Sequence, residues 1–558
     1  MIYPAFQKAE ISEMLAFSPQ KITIEGFDSD YAAAFLDEFN RKVGKGNILY
    51  ITINKENTRR TEYLESACRL SGEKYFIVSE KQGEDVKITV TVSCRRGLFA
   101  ALNRIKRMCE SKEFIIGSVE DYPLFAVRGY IEGFYGKPWS EENRKMMLRL
   151  LSSYGMNTYY YAPKDDPYHR DNWSELYPEN EMCRLSELAA LCRENFVDFY
   201  YCIAPGLNMK YSSDADFERL CCKAKQLYEV GVANFGLLLD DIPENLWFDD
   251  DKTAFDGEAV NAHIDLIRRF RSFLTELDQK CRLTVCPLQY HGRGDEYYIS
   301  KLGKGIPADV SIFWTGENIC SQSLTVREAV AFENSTNRQP LYWDNFPVND
   351  AEMLNEMHIG YLSGREKELY RYSEGIISNA MEYCLSSRIP LLTVCDYLWN
   401  PIAYDGFSSW QNACEIVLGD KKETLMPFLD NLLTSCLKVE NSPMLNSALA
   451  SAQQFLFSGD ECGAARAISE YMSVLEKCCN ALKTLDDPML AELAPWAEKQ
   501  YIALDLIKSA AALIDNSCAE NRQKTALILK KYLEHPKTLY NFSLQFFAER
   551  MINYGSAR

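Results

Sequence analysis

Eight short apolar runs follow one another along the middle of the chain, and each precedes a polar or glycine-containing turn and then an amphipathic segment. The runs lie at 127–131, 158–162, 198–203, 235–239, 283–286, 310–314, 340–343 and 375–378. Eight strand-then-helix units within about 300 residues are typical of a (β/α)8 barrel. The pattern therefore predicts an α/β fold with a TIM barrel at its centre.

The segments on either side of the barrel have different patterns. Before it, β-rich runs at 21–25, 47–53 and 87–92 alternate with helical patterns at 28–43 and 95–109, which predicts a small α/β domain. After it, leucine and alanine recur at helical spacing through 445–450, 464–482 and 501–514, which predicts a helical bundle packed on the barrel. We expect three domains, at 1–122, 123–415 and 416–558.

Composition limits the partners that such a chain can have. Its 558 residues are 47% hydrophobic and 25% charged, which is ordinary for a globular protein of several domains. The net charge of -18 opposes binding to nucleic acid or to an anionic membrane. The N-terminus lacks the basic start and apolar core of a signal peptide, and no apolar run approaches the ~20 residues of a membrane span. We expect a cytoplasmic protein, or a secreted one if a leader was removed.

Cysteine and histidine usage argues against disulfides and structural metal. The 19 cysteines are odd in number, include adjacent pairs at 221–222 and 478–479, and form no Cys-x-x-Cys motif. The five histidines are scattered. The cysteines are therefore interpreted as small buried side chains in a reducing compartment, and no metal or other cofactor is expected.

Two adjacent carboxylates, Asp240 and Asp241, end the fourth apolar run, and Pro243 follows closely. Successive side chains on a strand point to opposite faces, so both acids can share one cavity only where the strand ends and bends. Repulsion between them favours a proton on one near neutral pH, so that one acid can donate a proton while the other stays charged. A helix N-cap with a spare acid and a magnesium-binding pair are alternatives that the pair alone leaves open.

Polar side chains also follow the other predicted strands. They are expected at the C-terminal face of the barrel, where TIM-barrel enzymes place their catalytic groups. In chain order they are Gly133, Tyr135, Lys164, Asp165, Asn208, Asp240, Asp241, Tyr290, Thr315, Asn345, Asp350 and Asn379, with Trp343 nearby. Acids, amides and aromatic rings together are typical of a sugar-binding pocket. Each could instead be a surface charge, a packing residue or a turn residue, but their position at eight strand ends favours a shared site.

Four of the strand ends carry longer motifs. They are RGYIEGFYGKPW at 128–139, NTYYYAPKDDPYH at 157–169, LDDI at 239–242 and WDNFPVND at 343–350. These motifs resemble glycoside hydrolase family 84, the family of O-GlcNAcases and bacterial β-N-acetylglucosaminidases. RGLFAAL at 96–102 is similar to the N-terminal domain of hexosaminidases. One segment departs from the family pattern, since CPLQY at 286–290 carries Leu288 and Gln289 where the family has Thr-Glu.

The resemblance implies a role for each acid. Adjacent aspartates are too crowded to flank a glycosidic bond as acid and nucleophile, whose carboxyls are ~5 Å or more apart. In the family, the 2-acetamido oxygen of the substrate attacks the anomeric carbon and forms an oxazoline. Asp240 would then orient and polarise the acetamido N–H, and Asp241 would act as general acid and later as base, with net retention.

The same resemblance implies sugar contacts for the other strand-end residues. Tyr290 would bind the acetamido oxygen, Asp350 the O4 and O6 hydroxyls, and Asn345 the acetamido or glycosidic region. O3 would be held by the Gly133 carbonyl, Lys164 and Asn379, with Tyr135 and Trp343 closing the pocket.

The implied substrates are N-acetyl-β-glucosaminides, among them O-GlcNAc-modified proteins or glycan ends. The chain could form a homodimer. Two other functions remain open: a sugar-binding scaffold without catalysis, and an endo-acting hyaluronidase.

Overall fold

A closed barrel of eight parallel strands forms the centre of the protein. The structure, a computed structural model, describes residues 3–40, 46–56, 72–439, 441–540 and 542–554. The barrel strands are β7 (Val127–Glu132), β8 (Thr158–Tyr161), β9 (Asp198–Ile203), β10 (Asn234–Leu238), β11 (Arg282–Cys286), β12 (Ser311–Trp314), β13 (Leu341–Asp344) and β14 (Gly375–Asn379). Strand β14 pairs with β7, which closes the barrel. The predicted (β/α)8 architecture is confirmed, with each strand within a few residues of its predicted run.

Side chains fill the barrel interior. Tyr160 stacks on Tyr200 with ring centroids 4.3 Å apart, and its hydroxyl is 2.8 Å from the Thr284 hydroxyl. Phe313 packs edge-on against Trp343 at 5.2 Å. These rings form a packed floor below the strand ends, so the barrel interior is a filled core and not a channel.

Helices surround the barrel in the described part of the chain. They are Glu141–Ser153, Glu179–Glu194, Asp214–Glu229, Asp249–Ala254, Ala259–Leu277, Tyr297–Gly305, Val326–Thr336 and Cys384–Trp399, with short 3-10 turns at Ala351–Met353 and Leu369–Arg371. Their apolar faces join the outer faces of the strands in one continuous core. The last of them ends at Trp399, whose indole N–H donates to Asp121 of the N-terminal domain over 3.0 Å.

The N-terminal domain is a six-stranded mixed sheet in the described residues, with strand order β1-β6-β4-β5-β3-β2. Its strands are β1 (Lys8–Ala16), β2 (Lys21–Gly26), β3 (Ile48–Lys55), β4 (Tyr75–Gln82), β5 (Asp85–Val92) and β6 (Glu113–Asp121), and its helices are Ser29–Phe35 and Arg95–Ser111. The helical pattern predicted at 28–43 gives only Ser29–Phe35 and a 3-10 turn at Asp37–Phe39, and its end at 41–43 lies outside the described residues.

A helical region follows the barrel, as predicted. Its helices are Gly406–Leu418, Lys422–Leu429, Pro443–Phe457, Glu461–Thr484, Pro488–Asp515, Ala519–Glu534 and Ser543–Tyr554, with 3-10 turns at Gly419–Lys421 and Asp430–Leu432. Helix Pro488–Asp515 attaches this region to the barrel through Glu492. That carboxylate accepts hydrogen bonds from the Leu385 N–H at 3.0 Å and from the N–H and hydroxyl of Ser386 at 2.7 and 2.8 Å. It therefore caps the free donors at the start of helix Cys384–Trp399.

Replacing Glu492 by alanine is expected to lower the free energy of unfolding by about 1–2 kcal/mol, because the first turn of a barrel helix loses its cap. Denaturant titration of the two proteins measures the difference. Glu498→Ala, which removes an exposed glutamate from the same helix, serves as the matched control and should change little. Equal effects of the two substitutions would contradict the capping role.

The described residues share two general features. All their cysteines are free thiols. No helix in these residues is long and apolar enough to cross a membrane.

Candidate active site

The acid pair lies directly after β10. That strand ends at Leu238, the Leu239 N–H still donates to the Cys286 carbonyl over 2.8 Å, and Asp241 adopts a left-handed backbone with φ of 49°. Aspartate tolerates this conformation better than most residues. At this turn, successive side chains no longer point to opposite faces as they do along a strand. Both carboxylates can therefore face the same cavity, as expected from the sequence.

The two acids have different partners. Asp240 forms an ion pair with Lys164 at 3.3 Å, and both side chains are more than nine-tenths buried. Asp241 accepts hydrogen bonds from the hydroxyls of Tyr135 at 2.8 Å and Tyr290 at 3.1 Å. Asp240 is thus paired with a cation, whereas Asp241 has only neutral donors on its carboxylate.

Burial and charge set the protonation of these partners. Burial alone would lower the pKa of Lys164, but Asp240, Tyr135 and Asp241 together outweigh it, so the pKa lies above its usual value. Burial and the adjacent Asp241 raise the pKa of Tyr290 well above its usual range, and burial raises the pKa of Tyr135. Lys164 is therefore a cation and both tyrosines are hydrogen-bond donors at neutral pH.

Asp350 occupies the opposite part of the site. Its Oδ2 accepts the Tyr135 N–H at 2.8 Å, and it precedes the 3-10 turn Ala351–Met353. Burial raises the pKa of Asp350 above its usual value. A partly buried carboxylate with one fixed donor retains free oxygen lone pairs, which can accept hydrogen bonds from ligand hydroxyls.

A chain of hydrogen bonds joins the ends of β13, β14 and β7. The Asn345 Oδ1 accepts the indole N–H of Trp343 at 2.9 Å and the amide of Asn379 at 3.0 Å. The Asn379 Oδ1 in turn accepts the Gly133 N–H at 3.2 Å, and the Asn345 amide donates to the Ile319 carbonyl at 2.8 Å. These bonds fix the orientation of the amides and of the indole ring.

One cavity of about 260 Å³ contains all ten predicted site residues, and we call it the strand-end cavity. Its lining consists of Gly133, Tyr135, Lys164, Asp240, Asp241, Cys286, Tyr290, Thr315, Ile319, Cys320, Trp343, Asn345, Val348, Asp350, Ala351, Met353 and Asn379. A second cavity, the lateral groove, is lined by Asp241, Ile242, Glu244, Gly257, Glu258, Ala259, Val260, Leu288, Gln289, Tyr290, His291, Tyr297 and Tyr298. Asp241 and Tyr290 line both, so they stand at the junction.

Three other strand-end residues had no sugar contact assigned to them, and only one of them lines the cavity. Asn208 does not line the strand-end cavity, because its Oδ1 accepts the Trp173 indole N–H at 2.5 Å and its amide donates to the Asp171 carbonyl. Asp165 is exposed and also outside the cavity. Thr315 lines it and supports a neighbour, since its N–H donates to the Tyr290 carbonyl at 2.8 Å.

Sequence reasoning missed Arg170. Its guanidinium donates to the Tyr135 hydroxyl at 3.0 Å and to the Asp241 carbonyl at 3.4 Å, so it steadies both residues. It directly follows the motif at 157–169, which was the available signal. Ile319, Cys320 and Met353 were also missed, because they come from loops without a recognisable pattern.

Gly133 is required by the close approach of Trp343. A Cβ at Gly133 would lie 2.5 Å from the Trp343 ring and 3.2 Å from the Asn379 Oδ1. Gly133→Ala should therefore displace the ring and lower kcat/KM by roughly 100-fold, because small displacements of positioning groups are costly. Steady-state kinetics measure the loss. Gly72→Ala, where the nearest atom is 3.7 Å from the new Cβ, is the control, and equal activity of both variants would refute the prediction.

The arrangement suits a neutral, hydroxyl-rich ligand. It provides carboxylates, amides, a cation and an aromatic wall in one partly enclosed space. Within the described residues, no group of three or more His, Cys, Asp or Glu side chains is placed to hold a metal ion.

Comparison with known proteins identifies relatives of this chain. A family model described as beta-N-acetylglucosaminidase matches residues 128–430. The Protein O-GlcNAcase of Rattus norvegicus is 29% identical over 320 residues, which are 56% of this chain and 33% of that protein. The chain thus spans about a third of the length of this curated relative.

Two solved structures are similar over most of their length. A mutant of the O-GlcNAc hydrolase of Thermobaculum terrenum is 30% identical, with a TM-score of 0.73 over 78% of this chain and 96% of that one. The structure named CpGH84B is 25% identical, with a TM-score of 0.82 over 99% of this chain and 100% of that one. The family model covers more than half of the chain and includes the complete acid pair. The chain therefore belongs to the β-N-acetylglucosaminidase family, glycoside hydrolase family 84.

Proposed function

We propose that this protein is a retaining, exo-acting β-N-acetylglucosaminidase that uses the 2-acetamido group of its substrate as the nucleophile. The observation that carries the proposal is the position of Asp241, which lies between the strand-end cavity and the lateral groove. A proton donor to a glycosidic oxygen must stand between the sugar that stays and the group that leaves. Asp240, one residue away and paired with Lys164, faces only the strand-end cavity.

In the first step, Asp240 accepts the acetamido N–H and increases the electron density on the acetamido oxygen. That oxygen attacks the anomeric carbon, and the bond to the leaving oxygen breaks as Asp241 protonates it. The nucleophile is tethered to the sugar, so the attack is effectively unimolecular. Because its pKa is raised, the Tyr290 hydroxyl stays protonated, and it donates to the acetamido oxygen of the bound substrate.

In the second step, Asp241 takes a proton from a water molecule, which attacks the anomeric carbon and opens the oxazoline. Two displacements at the same carbon give net retention. Tyr290 donates to Asp241 in the free protein and would turn this proton to the acetamido oxygen when substrate binds. The hydrogen bond from Tyr135 then holds the Asp241 carboxylate at the junction of the two cavities, where it serves both steps.

The remaining residues of the strand-end cavity hold the sugar. Asp350 accepts hydrogen bonds from O4 and O6, while the Gly133 carbonyl, Lys164 and Asn379 contact O3. The amide of Asn345 faces the acetamido or glycosidic region. Tyr135 and the buried ring of Trp343 form the walls. Asp350 binding O4 and O6 would leave no room for a further sugar on that side, which is why we propose exo rather than endo action.

Hydrolysis of an aryl N-acetyl-β-glucosaminide by the purified protein, with the first-formed anomer identified by NMR, tests the reaction. The β-anomer should appear first. Progressive fluorination of the acetamido methyl should lower kcat steadily, because it withdraws electrons from the attacking oxygen. Insensitivity to fluorination would instead favour a covalent intermediate on a protein carboxylate. A folded but inert protein would favour the sugar-binding scaffold.

The proposed substrates are terminal N-acetyl-β-glucosaminyl groups on proteins or glycans. Cleavage of polymeric hyaluronan into oligosaccharides would contradict exo action and support the hyaluronidase alternative. The cytoplasmic location and a possible homodimer remain predictions from the sequence.

A further inference from the structure

The lateral groove extends away from the strand-end cavity on the far side of Asp241. Its volume is about 730 Å³, and its walls come from the segments that follow β10 and β11. Since Asp241 protonates the leaving oxygen in the proposed reaction, whatever is attached to that oxygen extends into this groove. The inference that follows rests on that proposed function.

An exposed aromatic ring forms one wall of the groove. Tyr297 is 64% exposed, yet its hydroxyl is fixed, because it donates to Glu258 at 2.9 Å and accepts from Lys301 at 2.8 Å. A ring held in this way loses little rotamer freedom when a ligand covers it. Aromatic faces carry partial negative charge, which attracts the polarised C–H bonds on the flat face of a sugar ring. Tyr297 is thus a preformed platform for a saccharide.

Two polar side chains, Gln289 and His291, line the same groove. Neither the Gln289 amide nor the His291 imidazole makes a hydrogen bond to the described part of the chain, although the His291 ring packs against Tyr290 at 5.4 Å. Amide and imidazole groups can both donate to and accept from hydroxyls. Gln289 and its neighbour Leu288 occupy the segment in which this chain departs from its family's pattern.

The charge of the groove discriminates among saccharides. Its lining contains the carboxylates of Asp241, Glu244 and Glu258 and no lysine or arginine. The nearby Lys301 is engaged by Glu258 at 2.6 Å. A leaving group with its own carboxylate, such as a uronic acid, would be repelled by this lining, whereas a neutral hexose would not.

We propose that the lateral groove is a subsite for a neutral sugar, with Tyr297 as its stacking platform and Gln289 and His291 as its hydroxyl contacts. The preferred substrates are then glycan ends in which N-acetylglucosamine is β-linked to a neutral hexose. Serine-linked peptides and uronate-linked sugars are poorer substrates, because neither places an uncharged pyranose ring on Tyr297.

The test compares kcat/KM for four substrates: methyl β-N-acetylglucosaminide, N-acetylglucosamine β-linked to galactose, the same sugar β-linked to glucuronic acid, and a peptide with N-acetylglucosamine on serine. The galactose disaccharide should be the best of the four. Tyr297→Ala should lower the ratio of kcat/KM for this disaccharide to that for the methyl glycoside about tenfold. Tyr297→Phe keeps the ring and should keep most of the ratio.

Phe457→Ala is the matched control, because it removes an aromatic ring that is 75% exposed on the helical region away from the barrel. It should leave the ratio unchanged. The proposal is overturned if Tyr297→Ala does not change the ratio, or if the peptide or the uronate disaccharide is the best wild-type substrate. Failure of wild-type protein to cleave even the methyl glycoside would instead refute the proposed function, so the two failures are distinguishable.

Discussion

Asp241→Asn is expected to lower kcat/KM about 1000-fold for substrates with poor leaving groups, because asparagine can neither protonate the leaving oxygen nor activate water. For a substrate with a good leaving group such as dinitrophenolate, which departs without a proton, the first step should survive. Hydrolysis of the oxazoline then limits turnover. Added azide should restore product formation with that substrate, since the anion attacks without a general base. Steady-state kinetics across a series of aryl leaving groups measure both effects.

A matched control exists for this substitution. Asp256 is also an exposed aspartate with a left-handed backbone, its φ being 55°, but it does not line the strand-end cavity. Asp256→Asn therefore makes the same residue change in the same backbone conformation, but outside the strand-end cavity. It should keep wild-type kinetics. A uniform loss across all leaving groups in Asp241→Asn, without rescue by azide, would rule out the acid–base role.

The barrel could be predicted because its strands are buried on both faces and therefore appear as continuous apolar runs. The carboxyl ends of parallel strands meet at one face, so residues far apart in sequence, such as Gly133 and Asn379, could be assigned to one site. Strand β1 could not be predicted. Nearly all of its residues are exposed and its sequence KAEISEMLA has no strand period, so its pairing with β6 decides its structure.

The same limit applies within the site. The sequence showed that Asp240 and Asp241 could share a cavity, but the choice of partner depends on the left-handed turn at Asp241. Because of that turn, Asp240 forms an ion pair with Lys164, and Asp241 accepts hydrogen bonds from the two tyrosines. Asn208 shows the converse case. Its position after a strand predicted that it would lie in the site, but its side chain accepts a hydrogen bond from Trp173 and does not line the cavity.

Asp240→Asn is expected to lower kcat about 100- to 1000-fold, because the amide can still accept the acetamido N–H but lacks the charge that stabilises the developing positive charge on the oxazoline. Asp240 acts on the nucleophile, so this loss should be the same for every leaving group, whereas the loss in Asp241→Asn grows as the leaving group becomes poorer. The substitution also leaves the ammonium of Lys164 without its partner at 3.3 Å, so the unfolding temperature should fall. Kinetics over the same aryl series, with calorimetry of the free protein, measure both consequences. A loss that grew with leaving-group basicity would mean that the roles of the two acids are exchanged.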